Sequence, residues 1–176
     1  MAARNRLPPW HEMIRTADGR EVLIRPIRPE DAVPLGAALP LLQPDELHGS
    51  FLQGQAPTAA TLERLSKPDP RRELTLVASE PLQPGEAVIG AVARVGVLDG
   101  TGQGEFAILV GGFLAGKGLG RHLMRRLVRW AKGKKLDRLY GEVAEDNQPM
   151  LALAESLGFR REATTAPGYV RVVLDL

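Results

Sequence analysis

The chain contains no cysteine. Disulfides, zinc–thiolate centres and cysteine nucleophiles are therefore excluded. Its three histidines, His11, His48 and His122, never fall at ligand spacing, so no metal is expected. Ser50 has no His and Asp in view to complete a hydrolase triad. Long apolar runs are missing as well. The longest, Phe106 to about Ala115, is interrupted by glycines and stops short of the roughly 20 residues a bilayer needs. The opening MAARNRLPPWHEMIR holds no apolar stretch of the signal-peptide kind. A cytoplasmic protein that does not bind membranes is expected.

With 176 residues and 44% hydrophobic content, the chain can bury the core of one domain. Residues 1–19 are expected to form an N-terminal extension with room for an extra hairpin strand, and 20–176 the domain itself. The net charge of +2 is unevenly spread. Between Lys117 and Arg138 nine Lys and Arg face Asp137 alone, a net +8, which leaves the remainder at −6. Such a block suits a polyphosphate. Nucleic acid is not the expected partner. The basic helix has no run of interleaved aromatics, and no helix-turn-helix, zinc or ribonucleoprotein signature appears.

The patterning predicts a mixed α/β fold. Thr16-Ala17-Asp18-Gly19 reads as a hairpin turn between 12–15 and 21–27. A helix is expected from Asp31, as its cap, to about Leu42, and a second from Thr58 to Ser66. Residues 43–57 show no regular pattern. Strands follow at 74–79, 87–95 and 104–110. Leu119, Leu123, Leu127 and Ala131 form one stripe of a helix from Gly118 to Lys132. A strand at 136–143, a helix at 147–157 stopped by Gly158, and strands at 159–161 and 169–174 complete the order.

The densest signal is GEFAILVGGFLAGKGLGR, residues 104–121. A strand ending in glycines at a helix N-terminus offers unpaired N–H groups and the positive end of a helix dipole to an anion. Gly111 to Lys117 fits the G-x-x-x-x-G-K of a P-loop, but Gly118 stands where Ser or Thr must bind magnesium. Gly116-Lys117-Gly118 begins a dinucleotide fingerprint, yet Arg121 takes the place of its last glycine. Ala115-Gly116-Lys117-Gly118-Leu119-Gly120 instead resembles the Q/R-x-x-G-x-G/A turn of the GNAT superfamily of N-acetyltransferases, with Ala115 in place of Gln or Arg. Asn147-Gln148-Pro149-Met150 with Leu157-Gly158-Phe159 resembles that superfamily's Asn-containing helix and its ending. Ile24-Arg25-Pro26-Ile27-Arg28-Pro29-Glu30-Asp31 is similar to its first strand and helix entry. Within the superfamily, this opening and the Gly104–Val110 strand look most like bacterial protein-lysine acetyltransferases that modify acetyl-CoA synthetase.

The resemblance implies an acyl-CoA N-acyltransferase fold: a mixed, mostly antiparallel central sheet flanked by helices. It also implies acetyl-CoA as co-substrate. The amides of Gly116, Gly118, Leu119, Gly120 and Arg121 would hold the diphosphate, with the Lys117 and Arg121 side chains near it. The backbone of Ile108, Leu109 and Val110 would pair with the pantetheine arm, and Asn147 would bond it from the opposite side. An N–H near Val110 would meet the acetyl carbonyl.

Acetyl transfer to an amine needs a base, because a lysine ammonium has a pKa of ~10.4 and cannot attack while protonated. Glu105 and Glu142 are the two candidates. The position at which many relatives carry a proton-donating tyrosine is Ala154 here; a thiolate leaving group, Ser156 or a water could make that good. The expected acceptor is a protein such as an acetyl-CoA synthetase, and the expected state a monomer or homodimer. A small-amine or N-terminal acetyltransferase, or a non-catalytic acyl-CoA-binding module, are the alternatives.

Overall fold

The computed structural model describes residues 10–42, 51–52, 56–112, 114, 118–164 and 166–176. Eight strands form one sheet: β1 (Glu12–Arg15), β2 (Glu21–Pro26), β3 (Glu73–Ser79), β4 (Ile89–Leu98), β5 (Gln103–Val110), β6 (Arg138–Ala144), β7 (Arg160–Glu162) and β8 (Tyr169–Asp175). Among the described residues the helices α1 (Ala32–Leu42), α2 (Ala59–Leu65), α3 (Leu119–Gly133) and α4 (Gln148–Ser156) accompany them. The strand order is β1-β2-β3-β4-β5-β6-β8-β7, and β5–β6 alone is parallel.

Successive strand residues point to opposite faces. On one face Leu76, Ala93, Phe106, Ile108, Leu139 and Val143 pack against Leu119, Leu123, Met124 and Leu127 of α3 and Leu151 of α4. On the other, Val77, Val92 and Leu109 pack against Leu35 and Leu39 of α1, Leu62 and Leu65 of α2, and Phe51. β3 and β4 are covered on both faces, which is why both read as mostly apolar runs, broken by Thr75 and Arg94.

The hairpin at Thr16–Gly19 forms as expected, with the Thr16 N–H donating to the Arg20 carbonyl at 2.9 Å. Thr58 caps α2 through the Thr61 N–H. The entry to α1 differs from expectation. Asp31 is not its N-cap but the third residue of a 3-10 turn, Pro29–Asp31. Its carboxylate accepts the Arg28 N–H at 2.7 Å and both Arg25 Nη groups at 2.7 and 2.9 Å. Two prolines within Pro26–Pro29 leave the chain few N–H groups of its own, and the buried ion pair takes over the anchoring. The α3 stripe is as expected, except that Arg126 is also buried. It donates to the Trp10 carbonyl at 2.7 Å and to Glu12 at 2.9 Å, tying β1 to the helix.

Candidate active site

The site is a fork between β5 and β6. These strands pair only at Gln103↔Arg138, Gly104↔Leu139 and Glu105↔Tyr140. Beyond that point β5 stays with β4 as far as Ala91↔Val110, and β6 stays with β8 as far as Ala144↔Tyr169. The edge of Phe106–Val110 that faces β6 thus has no strand partner among the described residues. An edge of this kind is a template for an extended ligand. At the base of the fork the Phe106 ring lies over Gly141, where a Cβ would sit 2.5 Å from Cζ. Phe159 meets that ring edge-on, with centroids 5.6 Å apart.

At the mouth of the fork, on the α3 face, lies a cavity of about 210 Å³. It is lined by Val110, Leu114, Gly118, Leu119, Gly120, Arg121, Asn147, Pro149, Met150 and Leu153. Six residues expected to hold cofactor thus come together: Val110, Gly118, Leu119, Gly120, Arg121 and Asn147. Gly118 sits at φ +79° as the N-cap of α3 and offers no side chain to its amides. The first-turn N–H groups have no acceptor within the helix, and that turn carries no acidic residue of its own. Gly120 lets α4 come close: a Cβ there would be 3.2 Å from Leu153 Cδ1. These features suit a diphosphate bound by backbone amides and an arm laid along β5. Ile108 and Leu109 lie on the β5 arm of the fork, with their side chains committed to the core on opposite faces. Gly116 and Lys117, with Ala115, lie outside the described residues, as do His48 and Ser50.

Asn147 caps α4, its Oδ1 accepting the Met150 N–H at 3.3 Å. The Arg121 guanidinium donates to Ser156 Oγ at 2.6 Å, bridging α3 and α4. Ser156 in turn donates to the Leu153 carbonyl at 2.7 Å, which engages the proton that a general acid would need. His122 of α3 contacts Glu12 through Nε2 at 2.7 Å.

Both candidate carboxylates face the α1 side. By alternation, Glu105 shares its side with Ala107 and Leu109, and Glu142 with Tyr140. The Tyr140 hydroxyl donates to Glu105 Oε2 at 3.3 Å. Arg171 donates to Glu142 Oε1 through Nε at 2.9 Å and Nη2 at 2.7 Å, and stacks 4.7 Å from the Tyr140 ring centroid. Glu142 Oε2 is buried without a hydrogen-bond partner. Burial, and next the Glu105 charge, raise Tyr140 above the ordinary tyrosine value. The hydrogen bond from Arg171 to Glu142 holds the guanidinium all the more firmly protonated. On the same side, Arg94 reaches over Gly96, the β4 partner of Glu105, to Glu73 at 3.1 Å.

Tyr140 and Arg171 were not singled out by the sequence reading. Neither sits in a local motif, and the register that puts Tyr140 beside Glu105 joins residues 35 positions apart. Among the described residues no three His, Asp or Glu cluster as a metal site. No helix among them is long and apolar enough to cross a membrane.

Residues 21–160 match the family model described as an acetyltransferase (GNAT) domain. An acetyltransferase of Pseudomonas aeruginosa is 31% identical over 143 residues, covering 81% of this chain and 76% of its own. The solved GNAT domain of S. lividans PAT aligns with a TM-score of 0.77 at 21% identity, covering 97% of this chain and all of that one. A GNAT-family acetyltransferase from Streptococcus pneumoniae aligns at 0.64 and 21% identity, over 88% of this chain and 99% of that one. A cAMP-binding acyltransferase from Mycobacterium smegmatis aligns at 0.62 and 24% identity; the match covers 94% of this chain but only 46% of the longer protein. These structural likenesses speak to the fold.

Proposed function

The chain belongs to the GNAT family of acetyltransferases, and we propose that it moves acetyl from acetyl-CoA onto a protein lysine, with Glu105 as general base. The observation that carries the reading is the fork. Its α3 side presents the first-turn amides of a helix and a strand edge with no partner among the described residues, and its α1 side presents two carboxylates where the strands part.

Bound acetyl-CoA supplies the activated thioester. The chain's own residues do the rest. The α3 amides from Leu119 to Arg121 hold the diphosphate, and the β5 edge keeps the arm extended. Glu105, at the vertex, takes a proton from the incoming ammonium so that the amine can attack. Glu142 is the weaker candidate, because Arg171 already occupies its Oε1 twice over. Its role on this reading is to fix Arg171. A thiol of pKa ~8.5 leaves as thiolate without a dedicated acid, so neither Ala154 nor the engaged Ser156 prevents turnover. An acceptor such as an acetyl-CoA synthetase fits the resemblance to protein-lysine acetyltransferases, and a cytoplasmic setting goes with it.

The test couples binding to chemistry. Calorimetry should show acetyl-CoA binding, and intact mass should show acetyl added to an acetyl-CoA synthetase at a lysine. Glu105→Gln should lower the rate by about a hundredfold to ten-thousandfold with acetyl-CoA affinity kept, the range for loss of a general base. Near-wild-type turnover in that variant would remove Glu105 from the mechanism. Acetylation of small amines alone would replace the protein acceptor.

A further inference from the structure

The base does not stand alone on its strand. Tyr140 is its register partner in the last β5–β6 pair, so the two side chains emerge side by side where the strands separate. The Tyr140 ring is buried, and its hydroxyl reaches Glu105 Oε2 at 3.3 Å. That distance is loose, as catalytic hydrogen bonds often are before substrate closes a site. Behind the ring stands Arg171, stacked at 4.7 Å and held by two hydrogen bonds to Glu142. Glu142, Arg171, Tyr140 and Glu105 thus form one chain across β8, β6 and β5.

We infer that Tyr140 is a positioning residue for Glu105, donating its hydroxyl to Oε2 and so fixing the orientation of the carboxylate toward the acceptor amine. The inference rests on the reading of Glu105 as base. A hydroxyl donor favours the charged carboxylate, the form a base needs, and removes one rotational option from a flexible side chain. Arg171 and Glu142 keep the ring from swinging away. The other charged side chains on this side of the sheet are paired: Arg94 with Glu73, Arg25 with Asp31, and Arg138 and Arg160 with Glu162 and Asp175, Glu162 also acting on Arg171 by its charge. α1 contributes no charged residue, Glu63 and Arg64 of α2 are exposed, and Asp45, Glu46 and His48 lie outside the described residues.

The test compares wild type, Tyr140→Phe, Glu105→Gln and the double variant. The readouts are thiol release from acetyl-CoA with poly-lysine and tyrosinate absorbance during an alkaline titration. The chain has only two tyrosines, Tyr140 and Tyr169, so the optical titration is readable with no acceptor present. Phe keeps the ring and the Arg171 stack. In Tyr140→Phe, kcat should fall about tenfold to a hundredfold, the worth of a hydrogen bond to a charged group, with KM for acetyl-CoA unchanged. The acid limb of the kcat/KM profile should move to higher pH. In the Glu105→Gln background the same change should cost less than about twofold, since the partner it acts through is gone. Optically, Glu105→Gln should lower the pH at which the Tyr140 step appears.

Failure is informative in two separable ways. If Glu105→Gln is inactive but Tyr140→Phe leaves the pH profile unmoved, or if the Tyr140 step ignores Glu105→Gln, the positioning role is overturned and the base assignment stands. If Glu105→Gln turns over like wild type, the base assignment fails and takes the positioning role with it.

Discussion

The two faces of the sheet meet at one fork but are made of different material. The α3 face is apolar side chains topped by backbone amides, and its proposed binding surface is the start of a helix with glycines at 118 and 120. The α1 face carries polar pairs: Arg25–Asp31, Arg94–Glu73, Tyr140–Glu105 and Arg171–Glu142. A surface built from backbone suits a constant group, such as the diphosphate proposed for it, with little say for side-chain identity. A surface built from paired side chains in a low-dielectric setting can be retuned one residue at a time, but each pair costs dearly when half of it is removed. The division fits an enzyme with one donor and an acceptor that must be chosen.

The sharpest way to break this contrast is Asp31→Asn. Both partners of Arg25–Asp31 are nearly inaccessible, with side-chain exposures of 3% and 0%. The change strands a buried guanidinium and should cost about 3–5 kcal/mol, read as a drop in the urea midpoint. A loss below about 1 kcal/mol would mean that the pair is not what anchors α1. On the opposite face the expected effect is smaller and falls on the ligand. Gly120→Ala should be nearly neutral, because helix propensity of about 1 kcal/mol offsets crowding against the movable end of Leu153. Gly120→Val should push further into the cavity and weaken acetyl-CoA by about tenfold, at a stability cost of about 1–3 kcal/mol. Unchanged affinity in calorimetry would show that the diphosphate does not approach this turn.

The same contrast explains what could be read from the sequence. The α3 side is written in consecutive residues. A strand runs into glycines, the glycines into an amphipathic helix, and an Asn opens the next helix. Local rules for N–H satisfaction and helix periodicity therefore marked the glycine turn and its helix as an anion site, and the family resemblance added the expected roles of Gly118, Leu119, Gly120, Arg121 and Asn147. Those rules also placed the Thr16–Gly19 hairpin and the Thr58 cap. They misplaced the α1 entry: Asp31 acts from the third position of the opening turn, accepting the Arg28 N–H, and shares its carboxylate with Arg25, six residues earlier on β2. On the α1 face Glu105 was found by resemblance, while its neighbour Tyr140 was not. Parallel pairing between β5 and β6 is set by how far α3 carries the chain, and no turn fixes that register. Arg171 reaches Glu142 only because β8 returns antiparallel from 29 positions away.

The smallest expected effect separates the faces by pH. Tyr140 titrates above the ordinary tyrosine value of 10.0, chiefly because burial disfavours the phenolate and secondly because Glu105 is charged. In the window between that ordinary value and its own higher one, the folded state holds a proton on Tyr140 that the unfolded chain has released. Stability from this group is therefore complete below the ordinary value and is lost as pH rises through the window. Urea midpoints followed from neutral pH into the alkaline range should fall less steeply for Tyr140→Phe than for wild type. Gly120→Val, on the other face, should run parallel to wild type from its lower starting point. Parallel curves for all three would mean that Tyr140 is as well solvated folded as unfolded, and the α1 face would lose its claim to be the desolvated side of the fork.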